Sequence, residues 1–522
     1  MITLTRLLAC WLVLLGAANA RAEAPAETQV NILIVTVDDM NWNSVGAFGA
    51  PIRDITPHID ALAQQGRRFE RAYVTASNCS PSRVALQTGR YPQQTGATGF
   101  FYVDDSGLPT IATELRRRGY LTGVINKVED TNPGPDRQRY WDFARNLGKA
   151  DKYAPQQMGQ TTAAFLARAR AERRPFYLTV NIADPHKPNF NDPEATASGA
   201  DAHAPSRIIA ASEVTVPGFL PDVPEIRADL RNYLNSVKRA DDAVGAIIAA
   251  LEASGMAQDT LVVFLSDHGM PFPFAKSSVY DNSLRTPLIM RWPGRIAPGS
   301  LETGLVSTVD LLPTILDATG TALPAGTPFP GRALLASEPS PAPDHVFGSF
   351  DENARGYPVP MRAAIGQEWI YVFNAWSDGA YTIKNDDMNH ATFKQMVRHA
   401  PHDPAIRARL AFYLAPPVEE LCHLTVDPDC LINRAEDPTL APRLADLRAA
   451  MWAQMLRTGD PLIAAFDSRA DRTALRRFMD GETAAAQARA DILQWKRPDN
   501  IAGPTRANRG LFRKPHSSPA AP

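Results

Sequence analysis

Asn31-Ile32-Leu33-Ile34-Val35-Thr36-Val37 is a near-unbroken apolar run that ends on Asp38-Asp39. A strand with one wet face alternates apolar and polar residues. A continuous run instead reads as a strand covered on both faces, the habit of parallel sheets. Three more such runs follow, Leu121–Ile125, Phe176–Ile182 and Leu261–Leu265, with helical patterns at Ile59–Ala63, Ile111–Arg118 and Pro224–Glu252. This alternation predicts an α/β fold: a large doubly wound, mostly parallel sheet flanked by helices. Each run also ends on chemistry. The first leads into Asp38-Asp39, the second into Lys127, the third into Asp184-Pro185-His186 and the fourth into Asp267-His268. Open α/β sheets bind ligands beyond the carboxyl ends of their strands, so these four ends predict one shared polar site.

The rest of the chain sets the frame. At 522 residues it exceeds one small module, and 44% hydrophobic with 21% charged residues suits a globular protein, not a disordered, collagenous or polytopic membrane one. Lys+Arg 54 against Asp+Glu 56 leaves a net charge of -2, which gives no pull toward nucleic acid. Residues 1–20 read as a signal peptide: Arg6, the apolar run Leu7–Ala18, and the small-x-small site Ala18-Asn19-Ala20. That run is too short to span a hydrocarbon core of ~30 Å. An exported protein is expected, periplasmic or secreted, without stable membrane insertion. Past Pro339, alternating segments at His345–Ser349, Met361–Ile365 and Trp369–Phe373 predict a smaller antiparallel sheet, followed by helices at Pro404–Tyr413 and Leu440–Arg457. The expected organisation is a main domain at 28–338, a C-terminal subdomain at 339–470, a helical extension at 471–496 and a disordered tail at 497–522.

Cysteine placement adds detail. Cys10 falls in the signal peptide, and Cys422 and Cys430 flank a short loop that could close as a disulfide in an oxidising compartment or hold two buried thiols. Cys79 is the odd one, in Cys79-Ser80-Pro81-Ser82-Arg83-Val84-Ala85-Leu86-Gln87-Thr88-Gly89-Arg90. Pro81 suits the first turn of a helix, which puts Cys79 at the positive helix end with Arg83 nearby. Such a place binds anions and lowers a thiol's pKa. These residues alone propose a cysteine nucleophile, against a buried structural cysteine ahead of a helix.

The pattern Cys-x-Pro-Ser-Arg followed by Thr-Gly-Arg resembles the signature of type I, formylglycine-dependent sulfatases, within the alkaline phosphatase superfamily. The resemblance continues through Val37-Asp38-Asp39, Thr56-Pro57-His58-Ile59-Asp60, Gly119-Tyr120-Leu121-Thr122-Gly123 and Ser266-Asp267-His268-Gly269. It implies that a dedicated maturation enzyme oxidises Cys79 to formylglycine, whose hydrated aldehyde is the nucleophile. It further implies that Asp38, Asp39, Asp267 and His268, with the modified Cys79, hold one divalent cation, usually calcium, for which carboxylate oxygens are suitable ligands. His268 stands where many members have Asn. By the same resemblance, Arg83 and Lys127 hold the hydrate and the sulfate oxygens, and His186 and Lys276 contact the sulfate and the leaving group. One departure stands out. The family has Lys-x-His or Lys-x-x-His after the second strand, whereas this chain reads Asn126-Lys127-Val128-Glu129-Asp130-Thr131. Glu129 occupies the histidine's place, or Asp130 if the longer spacing applies. A carboxylate there is expected to act as base in the collapse of the sulfated hydrate, or else to be a solvated turn residue.

Segments outside this shared core, Leu220–Leu230, Gly269–Pro273, Val346–Ser349 and Pro360–Arg362, resemble the N-sulfoglucosamine sulfohydrolases (sulfamidases, heparan N-sulfatases). Lys276 stands where those proteins have Arg, a donor of different geometry. The implied partner is a sulfated saccharide, with N-sulfated glucosamine and O-sulfated sugars both open. Two other readings fit the same residues: a phosphate or phosphonate ester hydrolase of the same superfamily, and a non-catalytic sulfated-glycan binding protein.

Overall fold

The computed structural model describes residues 29–492, apart from 101–106, 133–136, 327–328, 339 and 382. The expected signal peptide at 1–20 and tail at 497–522 lie outside the described residues. Eight strands form the main sheet: β1 (Asn31–Val37), β2 (Arg67–Tyr73), β3 (Leu121–Ile125), β4 (Phe143–Arg145), β5 (Phe176–Ile182), β6 (Thr260–Ser266), β7 (Arg285–Arg291) and β8 (Ser300–Ser307). Their order is β4-β3-β5-β1-β6-β7-β2-β8. The run from β4 to β6 is parallel, β7 is antiparallel to β6 and β2, and β8 pairs parallel with β2.

β1 lies in the middle and shows why its residues are apolar on both faces. Leu33, Val35 and Val37 pack with Met158, Phe165 and Leu166 of helix Pro155–Glu172 and with Tyr233, Val237 and Val244 of helix Pro224–Ala253. Ile32 and Ile34 face the opposite layer, where Ile111 and Leu115 of helix Ile111–Arg117 meet Leu312 and Ile315 of helix Leu311–Ala318. Fully burying one such aliphatic side chain is worth roughly 1.5–3 kcal/mol. The central strand therefore cannot shift without exposing both layers.

The second sheet is antiparallel, in the order β12-β11-β10-β9, from β9 (Val346–Glu352), β10 (Pro358–Ile365), β11 (Trp369–Asn374) and β12 (Glu419–His423). One face, through Tyr371 and Phe373, packs on Leu447, Met451 and Met455 of helix Ala441–Thr458 and on Leu475. Its other face packs Met361, Ile370 and Val372 with Tyr73 and Leu305 of the main sheet. The segment Pro360–Arg362 is accounted for by this packing: Arg362 is buried and donates to Asp460 at 2.5 and 2.8 Å and to Asp351 at 3.0 Å. Cys422 and Cys430 are buried as free thiols in one apolar cluster, so the short loop between them is not closed by a disulfide here. No described helix is long and apolar enough to cross a membrane.

The two sheets are joined by buried polar contacts. Ser349 N–H donates to the Thr75 carbonyl at 2.9 Å. Glu420, fully buried, accepts from Asn374 Nδ2 at 2.7 Å and from the Tyr280 hydroxyl at 3.0 Å. Burial, incompletely offset by those bonds, raises the Glu420 carboxyl to about 7. Because this pKa is raised on folding, the folded state binds the extra proton, and stability declines as pH rises from the ordinary glutamate range to about 7. Glu420→Gln keeps an acceptor for both donors and removes the titration. Its melting temperature relative to the parent should therefore climb between about pH 5 and about pH 8, by the equivalent of ~1–3 kcal/mol. A pH-independent difference would contradict the assignment.

Candidate active site

The carboxyl ends of β3, β5, β1 and β6, four neighbours in the sheet, bring Lys127, His186, Asp38 with Asp39, and Asp267 with His268 to one place. The chain turns there through left-handed backbone at residues that are not glycine: φ is 69° at Asp39, 56° at Asn126 and 45° at Lys127. Such conformations cost on the order of 1–3 kcal/mol each. They are pinned by Asp39 N–H to Asp267 Oδ1 at 3.1 Å and by Asn126 N–H to the Arg145 carbonyl at 2.8 Å. At Gly269 a Cβ would stand 1.8 Å from the Asn282 carbonyl oxygen, so only glycine lets the turn after His268 close.

Cys79 begins helix Cys79–Thr88, and its Sγ lies 3.5 Å from Asp38 Oδ1 and 3.4 Å from His268 Nε2. Asp38, Cys79, Asp267 and His268 are all buried and offer ligand atoms within 4.8 Å of one another. Asp39 and His186 form an overlapping group with Asp38 and Cys79. The expected thiolate does not hold. Burial and the Asp38 carboxylate push the Cys79 thiol well above its ordinary range, outweighing Lys276, Lys127 and the helix end. As a thiol, Cys79 is a poor nucleophile in this place.

Charge in the cluster is divided among partners. Burial opposes ionisation of Asp38, but neighbouring cations, Lys127 first and then Arg83 and Lys276, hold its carboxyl well below the usual range. Lys127 Nζ sits 2.6 Å from Asp38 Oδ2, and Lys276 Nζ lies 2.8 Å from both Asp39 oxygens. Arg83, expected to hold sulfate oxygens, is committed within the protein. It donates to Asp267 Oδ2 at 3.0 and 2.7 Å, to Thr36 Oγ1 at 2.8 Å and to Asn181 Oδ1 at 2.6 Å. His186 lies with Nδ1 2.5 Å from the Lys187 carbonyl and Nε2 4.0 Å from Asp39. Burial and Lys276 lower His186 to about 4. A carbonyl can only accept, so Nδ1 carries the proton and Nε2 of the neutral ring faces the site as an acceptor.

The Glu129 carboxylate accepts from Asn146 Nδ2 at 2.9 Å in an exposed hydrogen bond. Asp130 accepts from Oγ of Ser80, the residue after Cys79, at 2.5 Å and lies 3.8 Å from Lys127 Nζ. The sequence also left one support unseen. Arg239, fully buried in the middle of helix Pro224–Ala253, donates to both Asp184 oxygens at 2.7 and 2.8 Å and fixes the turn before His186. A single arginine inside a helical pattern carries no sequence signal of such a role.

The donor set fits a hard divalent cation: three buried carboxylates with one imidazole, already surrounded by cations that offset their mutual repulsion. The raised Cys79 thiol beside them is a weak nucleophile as it stands.

Comparison with known proteins agrees with this geometry. The family model described as Sulfatase matches residues 30–321. The N-sulphoglucosamine sulphohydrolase of Homo sapiens is 29% identical over 488 residues, 87% of this chain and 94% of that protein. Arylsulfatase A of Homo sapiens is 31% identical over 370 residues, 63% of this chain and 70% of that protein. Among solved structures, a 2-O GAG sulfatase superposes with a TM-score of 0.61 at 20% identity, covering 83% of this chain and 93% of that one. With more than half of its length matched by the family model and its polar cluster seated at the strand ends, this chain belongs to the sulfatase family.

Proposed function

We propose that this protein is an exported sulfatase that releases sulfate from the esters or N-sulfates of sulfated sugars, with N-sulfoglucosamine the leading candidate. It would use Cys79 in its formylglycine form and one divalent cation, calcium by preference, held by Asp38, Asp39, Asp267 and His268. The observation that carries this reading is the meeting of Cys79 with Asp38, Asp267 and His268 inside 4.8 Å. Likeness to a sulfohydrolase along 94% of that protein's length supports the sugar. Export rests on the apolar run Leu7–Ala18 and the site Ala18-Asn19-Ala20.

When bound and formed, the cation and the hydrated aldehyde supply Lewis acidity toward the sulfuryl oxygens and an oxygen nucleophile. The chain's own residues do the rest. Arg83 orients Asp267 through two hydrogen bonds and is itself held by Thr36 and Asn181, so the carboxylate cannot swing away. Lys127 and Lys276 bring positive charge beside Cys79, where a sulfuryl group would lie. Neutral His186 has its proton on Nδ1, facing Lys187, and can give none from Nε2. Lys276, held protonated by Asp39 against its burial, is the group able to donate a proton to the leaving oxygen or nitrogen. Asp130 holds Lys127 on its outer side and ties it to Ser80, next to Cys79.

Sulfate release from N-sulfoglucosamine and from glucosamine 6-O-sulfate, followed by ion chromatography, tests the reading. Exhaustive chelation should abolish release, and calcium should restore it. Calcium should also raise the melting temperature of the metal-free protein by ~5 °C, as expected for a ligand well above its dissociation constant. Activity that survives in verified metal-free protein would overturn the metal assignment.

The two acidic residues after Lys127 separate cleanly. Asp130→Asn should lower kcat by at least about 10-fold, and Glu129→Gln by less than about twofold. The reverse ranking, from steady-state kinetics on either sugar, would return the role to Glu129.

A further inference from the structure

Between β11 and β12 the chain passes the residues that follow Lys276 and His186, and its hydrogen bonds fix where. Asn385 Nδ2 donates to the carbonyl of Ser277, the residue after Lys276, at 3.1 Å. Seven residues on, Thr392 gives its N–H and its hydroxyl to Asp229 Oδ2 at 3.1 and 2.7 Å. Asp229 Oδ1 in turn pairs at 2.5 Å with Nζ of Lys187, the residue after His186. The segment 385–392 is thus stapled at one end beside Lys276 and at the other beside His186, the two residues on the leaving-group side.

Of the polar side chains on this bridge, Asp387 accepts from the Tyr413 hydroxyl and Asn389 donates to the Asp386 carbonyl, which leaves Asp386 and His390. Asp386 is half-buried, and its Oδ2 is oriented by the Ala354 N–H at 2.8 Å. Lys276 and Arg355 are the cations acting on it. His390 lies within the field of Lys187, Lys276, Asp229 and His186, and burial holds its ring neutral with a pKa lowered to about 3. Its Nδ1 is buried and makes no hydrogen bond among the described residues. A neutral imidazole can both accept and donate, and a carboxylate accepts two hydroxyls at once.

We propose that Asp386 and His390 form the saccharide-reading edge of the site, taking hydroxyl groups of the sugar ring that carries the scissile sulfate. This rests on the function proposed above. The sulfuryl group is drawn to the cations around Cys79, so the sugar must leave across Lys276 and His186. There the bridge supplies a fixed carboxylate and an uncharged ring, suited to hydroxyls. A site built to bond a substrate hydroxyl discriminates strongly against substrates without one.

The test compares kcat/KM for N-sulfoglucosamine, or for glucosamine 6-O-sulfate if the parent prefers it, with kcat/KM for p-nitrophenyl sulfate, which lacks hydroxyls. The ratio of sugar to aryl sulfate should fall about 10–100-fold in Asp386→Asn, Asp386→Ala and His390→Ala, mainly through KM for the sugar. Asp386→Asn keeps an acceptor for the Ala354 N–H, so it tests the claim even if Asp386→Ala fails to fold. An unchanged ratio, whether both substrates are lost equally or neither is affected, overturns this inference while leaving the proposed function standing. A parent that cleaves the aryl sulfate but neither sugar overturns both.

Discussion

The structure is organised around the mutual repulsion of carboxylates at one end of a parallel sheet. Asp38, Asp39 and Asp267 are each almost wholly buried, and Asp38 and Asp39 raise each other's cost of ionisation. Left alone, such a cluster would neutralise by taking up protons. Lys127 and Lys276 keep Asp38 and Asp39 charged, and Asp267, raised by its burial, is anchored by Arg83, which reaches back to Thr36 on β1 and Asn181 on β5. Both stand near the carboxyl ends of these largely apolar strands, where their side chains hold the guanidinium. A second buried pair, Arg239 with Asp184, steadies the adjoining turn. The same electrostatics explains the thiol of Cys79: beside Asp38 and out of water it stays protonated and is a weak nucleophile as it stands.

The small sheet and its crossover are docked against the segments that lead into this cluster. They dock next to the strand leading toward Cys79 through Ser349 and Thr75, next to the Lys276 loop through Asn385 and Ser277, and at Tyr280 through Glu420. In the function proposed above, the main sheet supplies the charges for the sulfuryl group and the small sheet's crossover supplies the edge that the sugar meets.

Much of this was legible in the sequence, for physical reasons that also mark where legibility stopped. Strands β1, β3, β5 and β6 are buried on both faces, so their residues form continuous apolar runs bounded within a residue or two of their true limits. β2, Arg-Arg-Phe-Glu-Arg-Ala-Tyr, lies between β7 and β8 with partly exposed charges and shows no such run. Cys79 and the metal-ligand candidates could be read because each stands directly after a strand or at a helix start. Glu129 against Asp130 could not be read. Two successive left-handed residues, Asn126 and Lys127, turn the chain before the short helix Val128–Thr131, so residue count no longer tells which side chain faces inward. The thiol's protonation was misjudged because a helix end favours a thiolate only where water or cations outweigh burial and a neighbouring carboxylate. The bridge residues Asp386 and His390 depend on long-range contacts that no local pattern encodes.

The account turns on Cys79 acting only after conversion, and the mass of the peptide carrying it tests this directly. Protein purified with full sulfate-releasing activity should show residue 79 as an aldehyde in place of the thiol. Fully active protein whose Cys79 peptide carries an unmodified thiol would contradict the account.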